Sequence, residues 1–232
     1  MSLFRFEKVT KRYHYDNFDV LKDFSFEMNK GQCTLLIDMQ SGKSTFCKLL
    51  CGMEKPSAGN IYWENQPLDS VCVEERNILY LMQNPIFFEN RTLLANLEYP
   101  LKVRKIKNSK EIAFAQLKSF SLEQFANVKI KKLSKDQRSL FAIARGFLRK
   151  PKLVLLDSFC DDLPQDQIEL VNQLIVENNC SALYLTADAN KIFTKQVAIY
   201  FDNKPLCMKE NVQQTLKDVV WLHNLEEQNE QI

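Results

Sequence analysis

Residues 3–9 and 20–28 alternate apolar and polar positions (Phe4, Phe6, Val9; Leu21, Phe24, Phe26, Met28). That period of two predicts half-buried antiparallel strands. Lys30-Gly31 turns into a short buried strand at 33–37, and Phe46-Cys47-Lys48-Leu49-Leu50 continues as a helix that Gly52 ends. Lys55-Pro56-Ser57-Ala58-Gly59 reads as a turn before a strand at Asn60–Trp63. A further strand, Ile78–Met82, runs into Gln83-Asn84-Pro85. Helical patterns cover 109–126 and 137–149, with Ser109 and Ser134 as possible caps. Leu153-Val154-Leu155-Leu156-Asp157 is a continuous apolar run ending in a carboxylate, the signature of a buried parallel strand. A helix over 165–178 and a strand at Ala182–Thr186 are expected next, and the polar tail over 222–232 is expected to fray. Strands alternating with helices predict an α/β fold with a doubly covered, mostly parallel sheet. No internal repeat or low-complexity tract interrupts the pattern.

A chain of 232 residues fits one large α/β domain or a core with an inserted subdomain. Hydrophobic content of 45% supports a proper core, and a net charge of +2 gives no reason to expect nucleic acid. The basic stretches Lys102–Lys110 and Lys129–Lys132 read as solvated faces. Seven cysteines, an odd number without a paired framework, fit a reducing compartment better than a secreted one. Cys47 and Cys51 lie four apart on one helix, spacing open to a metal pair or to plain core packing. No stretch approaches the ~20 apolar residues of a membrane span, and no signal-peptide pattern is expected at the start of the chain. Membrane association is therefore expected to come through a partner.

The candidate chemistry begins at Ser41-Gly42-Lys43-Ser44-Thr45. A strand, a tight loop and a helix N-terminus ending in Gly-Lys-Ser/Thr is the context of a phosphate-binding loop. Backbone N–H groups and the helix dipole cradle phosphate, the lysine reaches the β/γ oxygens, and the Ser44 hydroxyl ligates magnesium. The first glycine of G-x-x-x-x-G-K falls at Ile37, however, and Asp38-Met39-Gln40 follow. The whole chain holds five glycines, against a usual ~7% of residues. Non-glycine residues at strained loop positions cost about 1–3 kcal/mol each, and Asp38 brings negative charge toward phosphate. Alternative readings of the landmarks are a solvated helix-start lysine for Lys43 and a strand-end cap for Asp157.

Taken in order, these landmarks resemble the nucleotide-binding subunit of ATP-binding-cassette (ABC) proteins over nearly the whole chain. Lys11-Arg12-Tyr13 resembles the adenine-stacking aromatic loop, and the run to Gly59 after Gly52 resembles the turn behind the phosphate-loop helix. Gln83 resembles the Q-loop glutamine that senses magnesium and the γ-phosphate. Leu133-Ser134-Lys135-Asp136-Gln137, followed by Ala142-Ile143-Ala144-Arg145, resembles the signature motif and its helix. Pro151-Lys152-Leu153 to Asp157 resembles the Walker B strand. Cys51–Gly59, and Asn90-Arg91-Thr92 with Tyr99-Pro100-Leu101, are similar to the cell-division and lipoprotein-release ATPases.

The resemblance implies a P-loop NTPase cassette in one nucleotide-binding domain: 1–83 and 151–221 as a core with an N-terminal antiparallel β subdomain, and 84–150 as an inserted helical subdomain. It implies ATP bound through Tyr13, Ser41, Gly42, Lys43, Ser44, Thr45, Gln83 and Asp157, with magnesium held by Ser44, Gln83 and Asp157. It implies an integral membrane subunit, a second ABC subunit in a homo- or heterodimer, and a peripheral place on the cytoplasmic side of a membrane or an organellar matrix face.

The same comparison exposes what is missing. Where the family has a water-polarising glutamate after the Walker B aspartate, this chain has Ser158. Where the family has a γ-phosphate histidine, it has Ala187, and its histidines, His14 and His223, lie near the ends. Signature glycines that let backbone N–H groups approach a partner's ATP are replaced by Lys135 and Asp136. Counted from Gly31 to Lys43, the loop is one residue shorter than the family pattern. A positioned general base is worth about 10²–10⁴ in rate, so its loss alone leaves little hydrolysis. Because both its own site and the lent signature are damaged, the expectation is a structural or regulatory pseudo-ATPase. The alternative is an active subunit energising a transporter or cell-division-type complex, with Asp161, Asp162 or Asp188 positioning water. Pro85, Ile86, Phe87 and Phe88 form an apolar loop open to docking on a membrane subunit or to core packing.

Overall fold

The computed structural model describes residues 1–13, 18–31, 33–38, 42–185, 196–201 and 204–209, with backbone alone over 33–38, 196–201 and 204–209. His14, Ser41, Ala187, Asp188, His223 and the tail over 222–232 lie outside the described residues.

The alternating N-terminal segments form β1 (Ser2–Lys11) and β2 (Leu21–Asn29), which pair antiparallel. With β4 (Ala58–Trp63) and β5 (Gln66–Pro67) they make a four-stranded antiparallel sheet in the order β2-β1-β4-β5. Strand β3 (Cys33–Asp38) leads toward helix α1 (Lys43–Cys51). Gly52 ends α1 at φ 74, a left-handed conformation that glycine adopts without steric cost. The turn into β4 requires Gly59 (φ 81), where a side-chain Cβ would lie 2.3 Å from the Lys8 carbonyl oxygen. A single helical turn, α2 (Val73–Arg76), precedes β6 (Ile78–Met82). Buried Arg76 donates to the carbonyls of Leu50 (3.3 Å), Leu68 (2.8 Å) and Val71 (2.9 Å), placing a cation at the negative end of α1.

Helices α3 (Leu93–Val103), α4 (Ser109–Ser119) and α5 (Lys135–Phe147) come next, then β7 (Leu153–Asp157), α6 (Gln165–Glu177) and β8 (Ser181–Leu185). Strands β9 (Gln196–Phe201) and β10 (Lys204–Lys209) complete a six-stranded sheet, β10-β9-β3-β8-β7-β6, parallel except for the β10 edge.

That sheet separates two cores, and the period of two along β7 and β8 assigns the side chains. Leu153 and Leu155, with Leu183 and Leu185, face α1 and the antiparallel sheet. Val154 and Leu156, with Ala182 and Tyr184, face the cluster containing α3, α4, α5 and α6. Five phenylalanines fill the first core. Phe46 of α1 stacks on Phe6 with centroids 4.6 Å apart and lies 5.8–6.0 Å from Phe4, Phe24 and Phe26.

Two sequence expectations need correction, and one helix was not singled out: residues 93–103 are helical. Thr92 caps this helix by accepting from the Ala95 N–H at 3.2 Å, and Leu93, Leu97 and Leu101 form its buried face. The helix expected over 109–126 stops at Ser119, and the chain reverses through Ser121 at φ 54. Ser109 is not its cap: Asn108, at φ 57, holds that position, and the Ser109 hydroxyl bonds Glu98 at 3.4 Å.

Cys47 and Cys51 are core residues, and no His/Cys/Asp/Glu group suited to a metal occurs among the described residues. Burial pushes the Cys47 thiol up, helped by Asp157, and pushes Cys51 up to about 12, with Arg76 opposing. Native thiol labelling at neutral pH, read by peptide mass spectrometry, is expected to modify exposed Cys72 and to spare Cys47, Cys51, Cys160 and Cys180 until the protein unfolds.

Candidate functional site

Helix α1 begins at Gly42, whose carbonyl accepts from the Phe46 N–H at 2.8 Å. Lys43, Ser44 and Thr45 occupy its first turn, which contains no acidic side chain, so its N–H groups and dipole favour an anion. Ser44 is exposed and Thr45 buried. The Tyr13 hydroxyl lies 3.3 Å from Thr45 Oγ1, which ties the aromatic loop to this turn. The ammonium of Lys11 sits 4.9 Å from the Tyr13 ring centroid and is itself held by Glu54 (2.9 Å) and the Lys55 carbonyl (2.9 Å). The Lys11 cation thus packs against the ring expected to stack on adenine.

Helix α1 packs against β6 and β7, bringing its first turns beside the carboxylate of Asp157. Asp157 is buried at the end of β7, and its Oδ2 accepts from the Tyr80 hydroxyl at 2.7 Å. Burial, then neighbouring Cys47 and Asp157, raise the Tyr80 phenol above its ordinary range, so it stays a donor at neutral pH. Gln83 follows β6, and its backbone N–H donates to the Asp157 carbonyl at 3.1 Å. The Ser44 hydroxyl, the Asp157 carboxylate and the Gln83 amide oxygen are hard oxygen donors. One carboxylate completed by phosphate oxygens and water is a set that magnesium takes, so the residues fit this ion.

Ser158 stands directly after Asp157 at φ 50, with its N–H bonded to the Leu185 carbonyl at 2.8 Å. A left-handed serine costs about 1 kcal/mol or more. Its short hydroxyl is no general base. Asp162, further along the same loop, carries one oxygen that accepts from both Gln83 Nε2 (3.2 Å) and Lys135 Nζ (3.0 Å). The bond to Gln83 uses the amide nitrogen, the half that no cation takes.

The signature-like segment opens α5. Ser134 accepts from the Gln137 N–H at 3.2 Å and the Gln137 side chain accepts from the Ser134 N–H at 3.0 Å, a closed capping box. Asp136 lies in the first turn, where negative charge suits the dipole, and its carbonyl accepts from Gln167 of α6 at 3.2 Å. Leu133 is buried. Each of the residues 133–137 therefore has a structural role within the fold.

The loop after Gln83 divides in two. Phe87 is core, 5.5 Å from Phe141 and covered by the guanidiniums of Arg138 and Arg145. Core packing thereby accounts for Phe87. Ile86 and Phe88 are 72% and 46% exposed, and Phe88 meets Tyr99 edge-on at 5.0 Å. Asn96, buried, fastens the loop by donating to the Phe88 and Thr92 carbonyls (3.2 and 2.9 Å) and accepting from the Phe88 N–H at 3.0 Å. Arg138 pairs bidentately with Glu89, which holds that carboxyl below its usual range. Beside Phe88 lies a groove of about 290 Å³ walled by Leu79, Tyr99, Pro100 and Leu148 and by three arginines, 104, 145 and 149.

Sequence reasoning missed Tyr80 and the Asp162 junction. Alternation along β6 places Tyr80 three residues before Gln83, but nothing local announces its partner 77 residues away.

Comparison with known proteins bears on the fold and the family. Residues 21–160, more than half of the chain, match the family described as ABC transporter. Among solved structures, a nucleotide-free ATP-binding cassette from an ABC transporter aligns with TM-score 0.74 and 22% identity over 95% of each chain. The dimeric cassette MJ0796, in a post-hydrolysis state bound to ADP and Pi, aligns with TM-score 0.77 and 24% identity, covering 89% of this chain and 98% of that one. MJ1267, a cassette of an ABC transporter in its ADP conformation, aligns with TM-score 0.70 and 22% identity over 92% of each. With a P-loop α/β core, an antiparallel N-terminal sheet and the matched family segment, the chain belongs to the ABC transporter family as an ATP-binding cassette.

Proposed function

We propose that this chain is a degenerate nucleotide-binding subunit that associates with an integral membrane partner, binds MgATP, and hydrolyses it little or not at all. In this reading Lys43 and the first-turn N–H groups of α1 hold the phosphates, and Ser44, Asp157 and Gln83 hold magnesium. Bound there, the ion supplies charge neutralisation to the phosphates. Tyr80 keeps the Asp157 carboxylate oriented through Oδ2. Residues 84–150 act as the helical subdomain, and exposed Ile86, Phe88 and Tyr99 supply the docking face for a membrane subunit. A peripheral place on the membrane surface follows from that partner. No helix among the described residues is long and apolar enough to cross a membrane.

The observation that carries the reading is Ser158. The position beside Asp157 from which a carboxylate would polarise water holds a short hydroxyl, and Asp162 in the same loop is already paired with Lys135. Lys135 and Asp136 spent on the start of α5 argue the same way for any site completed by a second cassette.

Titration calorimetry of the purified chain with MgATP tests retained binding. Saturable heat is expected in the wild type. Lys43→Ala is expected to weaken binding at least about tenfold, the size of one lost charge-assisted phosphate contact. Equal affinity in the two proteins, or no heat in either, removes the phosphate-loop assignment.

A further inference from the structure

The turn joining α3 to α4 carries five of the chain's 31 cations, Lys102, Arg104, Lys105, Lys107 and Lys110, and no carboxylate. The other 26 cations are outnumbered by 29 carboxylates, so the net positive charge of the chain comes from this turn. Residues 102–108 are exposed without a break. Among them stand two apolar residues, Val103 at 64% exposure and Ile106 at 37%. The backbone holds the turn in shape. At the end of α3 the Ile106 N–H donates to the Leu101 carbonyl (3.0 Å) and the Lys105 N–H to the Lys102 carbonyl (2.9 Å), with Lys105 at φ 56. This Schellman closure accounts for an apolar residue at 106, which folds back over the last helical turn, and not for one at 103.

The helix dipoles account for part of the charge. Lys102 and Arg104 end α3, where cations are favoured, and Lys102 also pairs with Glu98 at 2.9 Å. Lys107 and Lys110 flank the N-terminus of α4, where the dipole opposes them and Glu111 is the one acid of the first turn. The second basic run, Lys129–Lys132, is built differently. Its apolar residue, Ile130, is fully buried, and Lys135 just beyond pairs with Asp162 at 3.0 Å. In the α3–α4 turn, cations and apolar side chains meet water together.

We propose that the α3–α4 turn lies on the headgroups of an anionic lipid bilayer, its cations over lipid phosphates and Val103 and Ile106 dipping into the headgroup boundary. Such a surface supplies negative charge spread in a plane with an apolar layer just beneath, the pairing that interleaved cations and exposed aliphatic residues take. A nucleic acid would call for aromatic rings to stack its bases, and residues 102–110 contain none. Arg104 also lines the groove beside Phe88, so the turn and the docking face proposed above share one side of the molecule. The lipid contact needs no membrane subunit and does not rest on that docking.

Cosedimentation of the purified chain with vesicles tests this, using phosphatidylcholine alone against equal parts phosphatidylcholine and phosphatidylglycerol. Each basic residue near an anionic surface adds about fivefold to partitioning at modest salt. Binding to the mixed vesicles is therefore expected to exceed that to neutral ones at least about tenfold at low ionic strength, and to fall as salt is raised. Lys105→Glu/Lys107→Glu is expected to lower it at least about tenfold, and Lys105→Gln/Lys107→Gln by a smaller factor. Both lysines are exposed, so these variants are expected to melt at the wild-type temperature, and the neutral pair carries the test should the reversal unfold the chain. The matched reversal Lys129→Glu/Lys131→Glu is expected to keep most of the binding. In Val103→Trp, the added fluorescence is expected to be quenched by vesicles whose acyl chains are brominated near the headgroup. Equal binding to the two vesicle types overturns the proposal and leaves a solvated face. Equal losses from the two reversals overturn it in favour of overall charge. Binding without quenching overturns the seating of Val103, and with it the proposal. Tighter binding to a single-stranded RNA than to the mixed vesicles, in the same salt, assigns the turn to nucleic acid and overturns it too. Failure in this assay leaves the membrane-subunit reading untouched, because no subunit is present.

Discussion

Truncating Phe46 to alanine is expected to remove about 3–5 kcal/mol of stability. At 2–4 °C per kcal/mol for a chain of this size, melting should fall by roughly 6–20 °C. Phe46 is fully buried and contacts four other rings, two from β1 and two from β2. It is the point at which the helix behind the phosphate loop is pinned to the antiparallel sheet. Nothing nearby can collapse into the vacated volume without moving a strand, so the cavity term adds to the lost transfer energy. Phe46→Leu should cost much less, because most of the volume is kept. Since folded domains hold only about 5–15 kcal/mol, the alanine variant sits near the threshold of unfolding. Circular dichroism melts of the two variants check this. Equal melting temperatures for Phe46→Ala and wild type would show that α1 is not secured by this cluster.

Hydrolysis is expected to be almost absent even in the intact membrane complex. From an ordinary turnover of about 10 s⁻¹, loss of a positioned general base by 10²–10⁴ leaves roughly 0.1–0.001 s⁻¹. In the proposed reading, Lys135 and Asp136 at the start of α5 would remove further transition-state stabilisation. Phosphate release by the complex, followed under saturating MgATP, should therefore stay below about 0.1 s⁻¹. Ser158→Glu should recover only part of the deficit, because Lys135 and Asp136 remain where the resemblance implies glycine. Turnover near 10 s⁻¹ that Lys43→Ala abolishes would overturn the pseudo-ATPase reading and favour the active alternative. An acid elsewhere in the chain would then be positioning water.

How much of this was legible in the sequence depended on whether a signal was local. Alternation gave β1 and β2, and an unbroken apolar run ending in Asp157 gave β7, because side-chain period and burial are written in adjacent residues. Ser134 was legible as a cap because Gln137 stands three residues on. Helix α3 was not singled out as an element, although a proline removes only one backbone donor and Leu93, Leu97 and Leu101 build a buried face. Its Thr92 cap and leucine spacing were the available signals. Strands β9 and β10 passed unremarked, although Gln196–Phe201 is mostly apolar and β-branched or aromatic in part. At the candidate site, Lys43, Ser44, Gln83 and Asp157 stand out through motif spacing. Tyr80 does not, and neither does the bridging place of Asp162, since their partners lie 77 and 79 residues away and only the folded sheet brings them together. The groove was invisible for the same reason. Arg104 reads as one more member of a basic run until the fold brings it and Arg149 to one groove.

Asp162 offers one oxygen to two donors that belong to different parts of the molecule, the end of β6 and the start of α5. The ion pair with Lys135 is largely solvated, so such a contact holds with about 0–1 kcal/mol. A joint this soft keeps neighbouring pieces in register without freezing them. If the glutamine amide swings to a different acceptor, the lysine still satisfies the aspartate, and nothing charged is stranded. The start of α5 can then shift against the end of β6 at little energetic penalty.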